Sequence, residues 1–191
     1  MIRFMEKAEL NKTMHLSENF TLGEVTKTSV KTADGRSATQ GDALLAKNIP
    51  SHVAIENLKN LCENWLEDLR YSYNTLYPTS HLERSREISP RATLGRDDNP
   101  IIITSGYRSP EVNKAVGGAP TSNHLTGCAV DIRCEGFEQA LRYANILMDI
   151  SDGTKHDYDE LFIERSKQGR YWIHFAVRPK DNRRKTAFIQ T

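Results

Sequence analysis

Residues 101–134 read IIITSGYRSPEVNKAVGGAPTSNHLTGCAVDIRC. Residues 101–104 form a short β-branched run with the pattern of a buried strand. Ser109-Pro110-Glu111 supplies an N-cap, a first-turn proline and a first-turn acid, and Gly117-Gly118 ends the helix that follows. A loop over 119–127 leads into a second strand at 128–134. There Cys128, Val130, Ile132 and Cys134 make the apolar set, which turns Asp131 to the opposite face beside Ala129.

Downstream, Phe137, Leu141, Ala144, Leu147 and Met148 recur at helical spacing. Two strands, 158–166 and 171–178, then close the domain as a hairpin. Tyr171, Ile173, Phe175 and Val177 belong to the core, so Trp172 and His174 take the other face. Leu161 and Ile163 likewise leave Glu160, Phe162 and Glu164 opposite. Matching the two core sets requires an odd loop, and Lys167-Gln168-Gly169 fits, with glycine at the left-handed position. In that register Glu164 faces Trp172, and His174 is its diagonal neighbour at about 7–8 Å.

Upstream, Leu58, Leu61, Cys62, Trp65, Leu66 and Leu69 define an amphipathic helix over 51–70, with Ser51 as its N-cap. Thr21-Leu22-Gly23-Glu24 reads as a capping box with Phe20 as its staple. Residues 31–48 read as a loop. Residues 71–99 have no sustained period and read as an insertion or functional loop. The order β-α-β-α-β-β with an antiparallel closing pair argues an α+β fold. The expectation is a single domain over 51–191 with a small, mostly antiparallel sheet, helices packed on one face, and residues 1–50 as an extension on or beside it.

Lys plus Arg (26) balances Asp plus Glu (25). No net field therefore favours nucleic acid or an anionic membrane. No apolar run reaches the roughly 18–20 residues of a membrane span, and the charged start MIRFMEKAELNKTM has no apolar signal core. The expectations are cytoplasmic synthesis, no nucleic-acid partner and a monomer. Cys62, Cys128 and Cys134 are an odd set, and the last two would lie about 20 Å apart on an extended strand. They read as core residues. His15, His52, His81 and His156 lack motif neighbours, and the segment around Asp152 and Asp157 is too irregular for an EF-hand loop.

Residues 104–131 closely resemble the zinc D-Ala-D-Ala carboxypeptidase family, whose fold is shared with the hedgehog signalling domain and with murein endopeptidases. The family pattern S-x-H-x-x-G-x-A-x-D is met by Ser122, His124, Gly127, Ala129 and Asp131. S-G-Y-R-S is met by Ser105 to Ser109, and W-x-H by Trp172 and His174. The likeness covers roughly 100–178.

The resemblance implies Zn²⁺ held by His124, Asp131 and His174. Two imidazoles and a carboxylate suit zinc, and a fourth position stays open for water that attacks a peptide carbonyl. It implies that Arg108 holds or polarises the substrate and that Ser122 and Trp172 line its site; Ser122 also reads as a loop cap. The family's general base stands three, two or five residues before the last ligand, where this chain has Tyr171, Trp172 and Gly169. A subgroup pattern D-E/Q-L-x-x-E is met by Asp159, Glu160, Leu161 and Glu164, which points to Glu164 as base, with Asp159 outside the ligand set or structural.

The implied substrate is a peptidoglycan peptide, cut by a carboxypeptidase or an endopeptidase at the cell wall or in the periplasm after release, as in phage or prophage lysis enzymes. A non-catalytic wall- or partner-binding module of phage or prophage type is the alternative, and a cytoplasmic dipeptidase the third.

Overall fold

Alternation sets the sheet. Val130, Ile132, Leu161, Ile163, Ile173 and Phe175 pack into or against one core, while Asp131, Glu164, Trp172 and His174 open onto the other side. The computed structural model describes residues 11–28, 48–78 and 99–191. Its strands are β1 (Ile103–Ser105), β2 (Ala129–Cys134), β3 (Glu160–Arg165), β4 (Tyr171–Ala176) and β5 (Lys185–Gln190). They form one five-stranded sheet in the order β1-β2-β4-β3-β5. All neighbours are antiparallel except β3 and β5. The protein is thus α+β with a mostly antiparallel sheet.

The helices are α1 (Leu22–Val25), α2 (His52–Leu61), α3 (Glu67–Leu76), α4 (Pro110–Ala115) and α5 (Phe137–Thr154). The helix read over 51–70 is longer than its apolar period suggested. A π-helical turn, Cys62–Leu66, joins α2 to α3, with the Glu67 amide bonding to the Cys62 carbonyl. Its inner side chains meet the sheet, and Trp65 lies 5.1 Å from the Phe175 ring. Tyr143 of α5 packs edge-on to Tyr73 of α3 at 4.7 Å. Fully burying one such side chain contributes roughly 1.5–3 kcal/mol.

Leu16, Phe20, Leu22 and Val25 enter the same core, and the Thr21–Glu24 capping box forms as read. Ser51 and Ser109 cap α2 and α4. Of the loop read over 31–48 only Asn48 is described; it is buried and bonds to the Thr26 and Tyr107 carbonyls and the Ser109 amide. Of the insertion read over 71–99, residues 71–76 continue α3, and 79–98 lie outside the described residues.

The hairpin forms in the expected register, with Glu164 opposite Trp172. Its turn has Gly169 at φ 80° and the Ser166 amide bonded to the Arg170 carbonyl at 2.9 Å. The hairpin does not close the domain, however. β5 adds in parallel to the outer edge of β3, and the pattern missed it because β5 lies at the edge with little buried alternation. The helix read from Phe137 to Met148 also runs on to Thr154. Cys62, Cys128 and Cys134 are buried and free, and burial pushes the Cys62 and Cys134 thiols up to about 12. Among the described residues no helix is long and apolar enough to cross a membrane.

Candidate metal centre

His124 sits on a 3-10 turn, Asn123–Thr126, just before β2. The Ser122 hydroxyl caps this turn by accepting from the His124 amide, so the loop-cap reading of Ser122 holds while its side chain also lines the cleft. Gly127 ends the turn at φ 72°, and a Cβ there would come within 2.3 Å of the Ala54 carbonyl oxygen. Both facts demand glycine. Gly127→Ala is expected to lower unfolding stability by about 2–4 kcal/mol, read from a urea melt of the metal-free protein.

The turn is laced to the preceding loop. The Arg108 amide donates to the His124 carbonyl at 3.0 Å, and the His124 ring Nδ1 lies 2.6 Å from the Gly106 carbonyl oxygen. Gly106 is itself pressed on the Val25 carbonyl, 2.1 Å from where a Cβ would be. With Nδ1 donating to a carbonyl, Nε2 of His124 is the free lone pair.

That atom meets two others. Asp131 and His174 are direct cross-strand partners on β2 and β4. His124 Nε2 and His174 Nδ1 lie 3.3 Å apart, His174 Nδ1 and Asp131 Oδ1 3.0 Å, and His124 Nε2 and Asp131 Oδ1 3.3 Å. Tetrahedral zinc, about 2.0–2.1 Å from N and O ligands, spaces them roughly 3.3 Å apart. The three atoms fit that ion, and all three residues are buried. The motif residues His124, Asp131 and His174 therefore converge.

All seven residues singled out from the sequence, Arg108, Ser122, His124, Asp131, Glu164, Trp172 and His174, line one cleft of about 1200 Å³. Arg108 is less free than a substrate anchor need be. Its Nη2 pairs with Asp131 Oδ2, and its Nε donates to the Ser105 hydroxyl at 2.8 Å. Glu164 stands on the β3 face, one cross-strand row from the row containing Phe162, His174 and Asp131.

Sequence reasoning missed Glu160. Its Oε2 lies 3.5 Å from His174 Nε2, on the side of the ring away from Asp131. The signal was available, since Glu160 shares the alternating face of β3 with Glu164. Asp159, read as structural or outside the ligand set, is wholly buried and paired with Arg183 and Arg178. Among the other histidines, His52 faces Glu56 and His156 is exposed; His81 lies outside the described residues. Asp152 and Asp157 face Arg184.

The electrostatics follow from this packing. Burial works to raise the Asp131 carboxyl, but the two imidazoles hold it well below the usual carboxylate range. Burial lowers His124 against the pull of Asp131. Burial also opposes charge on His174, yet hydrogen bonds to Asp131 and Glu160 outweigh it and raise the ring to about 9. Burial raises Glu164.

A pH prediction comes from His174. A ligand imidazole must give up its proton, so metal affinity should climb with pH up to about 9, by close to tenfold per unit. Titration calorimetry at pH 7 in two buffers of different ionisation enthalpy should report about one proton released; none released would contradict it. In the metal-free protein the same raised pKa stabilises the fold fully below the ordinary 6.5. That contribution fades as pH rises through about 9.

The family model described as Peptidase M15 matches residues 88–158. Over this stretch the chain is similar to the M15 peptidases. The match takes in Arg108, Ser122, His124 and Asp131, and agrees with the zinc-peptidase resemblance of residues 104–131. Glu160, Glu164, Trp172 and His174 lie on the strands beyond the matched residues. A search of curated proteins finds no match.

Proposed function

We propose that the chain is a zinc peptidase that hydrolyses D-alanine-containing peptide bonds of bacterial peptidoglycan. The observation that carries this reading is the convergence of His124 Nε2, Asp131 Oδ1 and His174 Nδ1 at near-tetrahedral spacing on the wall of an open cleft. The M15 match supports a metallopeptidase, and the S-x-H-x-x-G-x-A-x-D resemblance supports the D-alanyl substrate.

Zinc bound by these three residues supplies a Lewis acid that polarises the scissile carbonyl and lowers the pKa of water. Glu164 lines the cleft beside them and, as general base, takes a proton from the attacking water and returns it to the leaving amine. Arg108 offers a planar, permanent cation for a terminal carboxylate or for charge developing on the carbonyl oxygen. Its pairing with Asp131 holds it at the edge of the ligand cluster. Ser122 and Trp172 form the walls that meet the peptide. The site of action is the wall or periplasm.

Digestion of purified muropeptides, with and without a zinc chelator, tests the reading. Chelator-sensitive release of fragments or D-alanine is expected. Zinc-loaded protein that binds murein and releases nothing would favour the non-catalytic module. A D-Ala-D-Ala-ended pentapeptide assayed against cross-linked muropeptides separates carboxypeptidase from endopeptidase.

A further inference from the structure

β3 carries two acids on the site face, and they flank Phe162, whose ring stacks on His174 at 5.7 Å. Glu164 lines the cleft. Glu160 does not, and it reaches the far nitrogen of the His174 ring instead. The two carboxylates are therefore placed for different work.

Glu160 is held on both oxygens. Oε1 accepts from Arg183 Nη2 at 2.6 Å, and Oε2 accepts from Asn123 Nδ2 at 3.0 Å while facing His174 Nε2. Arg183 is fixed in turn by buried Asp159, to which its Nε and Nη2 donate at 2.8 and 2.7 Å and its backbone amide at 3.2 Å. Asn123 also donates to Asp159, at 2.8 Å. Asn123 is the residue before His124. One network thus joins the turn bearing the first histidine, the strand beside the second, and the segment leading into β5.

We propose that Glu160, aimed by Arg183, is the positioning residue for His174, so that the segment between β4 and β5 completes the metal centre. The inference rests on the metal-centre reading above. A carboxylate that accepts from the non-ligating N–H of an imidazole fixes its tautomer and ring orientation and strengthens the other nitrogen as a ligand. Here it leaves Nδ1 of His174 to face Asp131 Oδ1 and His124 Nε2. Arg183 acts only through Glu160, since it touches no ligand in the described contacts.

Zinc affinity, measured by competition with a chromophoric chelator, gives the test. Glu160→Ala should weaken binding by roughly 10–100-fold, and Glu160→Gln, which keeps an acceptor without the charge, should fall between it and the parent. Arg183→Ala should weaken binding too, and the Glu160→Ala/Arg183→Ala double variant should lose little beyond Glu160→Ala alone. In the cobalt-substituted protein the His174 Nε2–H proton should be slow to exchange and visible by NMR, and it should vanish in Glu160→Ala. Parent-like affinity with that proton retained in Glu160→Ala overturns the inference, and additive losses overturn the part assigned to Arg183. Should Glu160→Ala not fold, Glu160→Gln carries the same comparison. A parent protein that takes up no zinc removes the metal reading itself, whereas a zinc-binding parent with indifferent variants removes only this proposal.

Discussion

His124→Ala and His174→Ala should each cost the protein its zinc, with affinity falling by roughly 10³-fold. Zinc sites in small domains bind with apparent free energies of about 10–16 kcal/mol. Shared among three protein ligands, that puts one imidazole near 4 kcal/mol, or roughly 10³-fold in affinity. Neither loss should unfold the chain. Asp131 keeps Arg108 and the remaining histidine as partners in either variant, so no bare buried charge is left. His52→Ala and His156→Ala, at exposed residues outside the ligand cluster, serve as controls that keep the metal. Metal content after dialysis, together with chelator competition, gives the measurement. Full zinc retention in both ligand variants would end the metal-centre reading.

Glu164→Gln should leave zinc bound within about threefold and lower kcat/KM by about 10²–10⁴-fold, the usual contribution of a positioned general base. Glutamine keeps the shape of the side chain and removes only its ability to take a proton. Glu164 touches none of the three ligand atoms in the described contacts, so affinity and turnover should separate in this variant. Burial raises the Glu164 carboxyl above its ordinary value. A base works only when deprotonated, so the acid limb of the kcat/KM profile should disappear in Glu164→Gln. Near-parent turnover in Glu164→Gln would move the base elsewhere. Together with the Glu160 variants this sorts the two acids of β3: one changes affinity, the other changes rate.

Much of the site was legible because strand alternation has a period of two, and a face is fixed once its core set is known. That placed Asp131, His174, Trp172 and Glu164 on one side, and the three-residue turn at Gly169 set the register that brings Glu164 opposite Trp172. The caps at Thr21, Ser51 and Ser109 were legible because they depend on neighbours in sequence. β5 was not, since an edge strand that is exposed along nearly its whole length carries little apolar period. The π turn at Cys62–Leu66 was also hidden; its Trp65 packs on Phe175 of β4, a contact distant in sequence.

Local chemistry in the chain determined the order of the elements from β1 to β4, the faces of those strands, and the residue types able to hold a metal. Only tertiary structure decided that His124 Nε2 and His174 Nδ1 lie 3.3 Å apart. It likewise decided that Arg108 pairs with Asp131 and that Glu160, not Glu164, backs the second histidine. The reason is range. Periodicity constrains a side chain's direction relative to its own strand, whereas these contacts span between 14 and 50 residues of chain, and their geometry comes from how Gly106, Gly127 and Arg183 let separate segments approach.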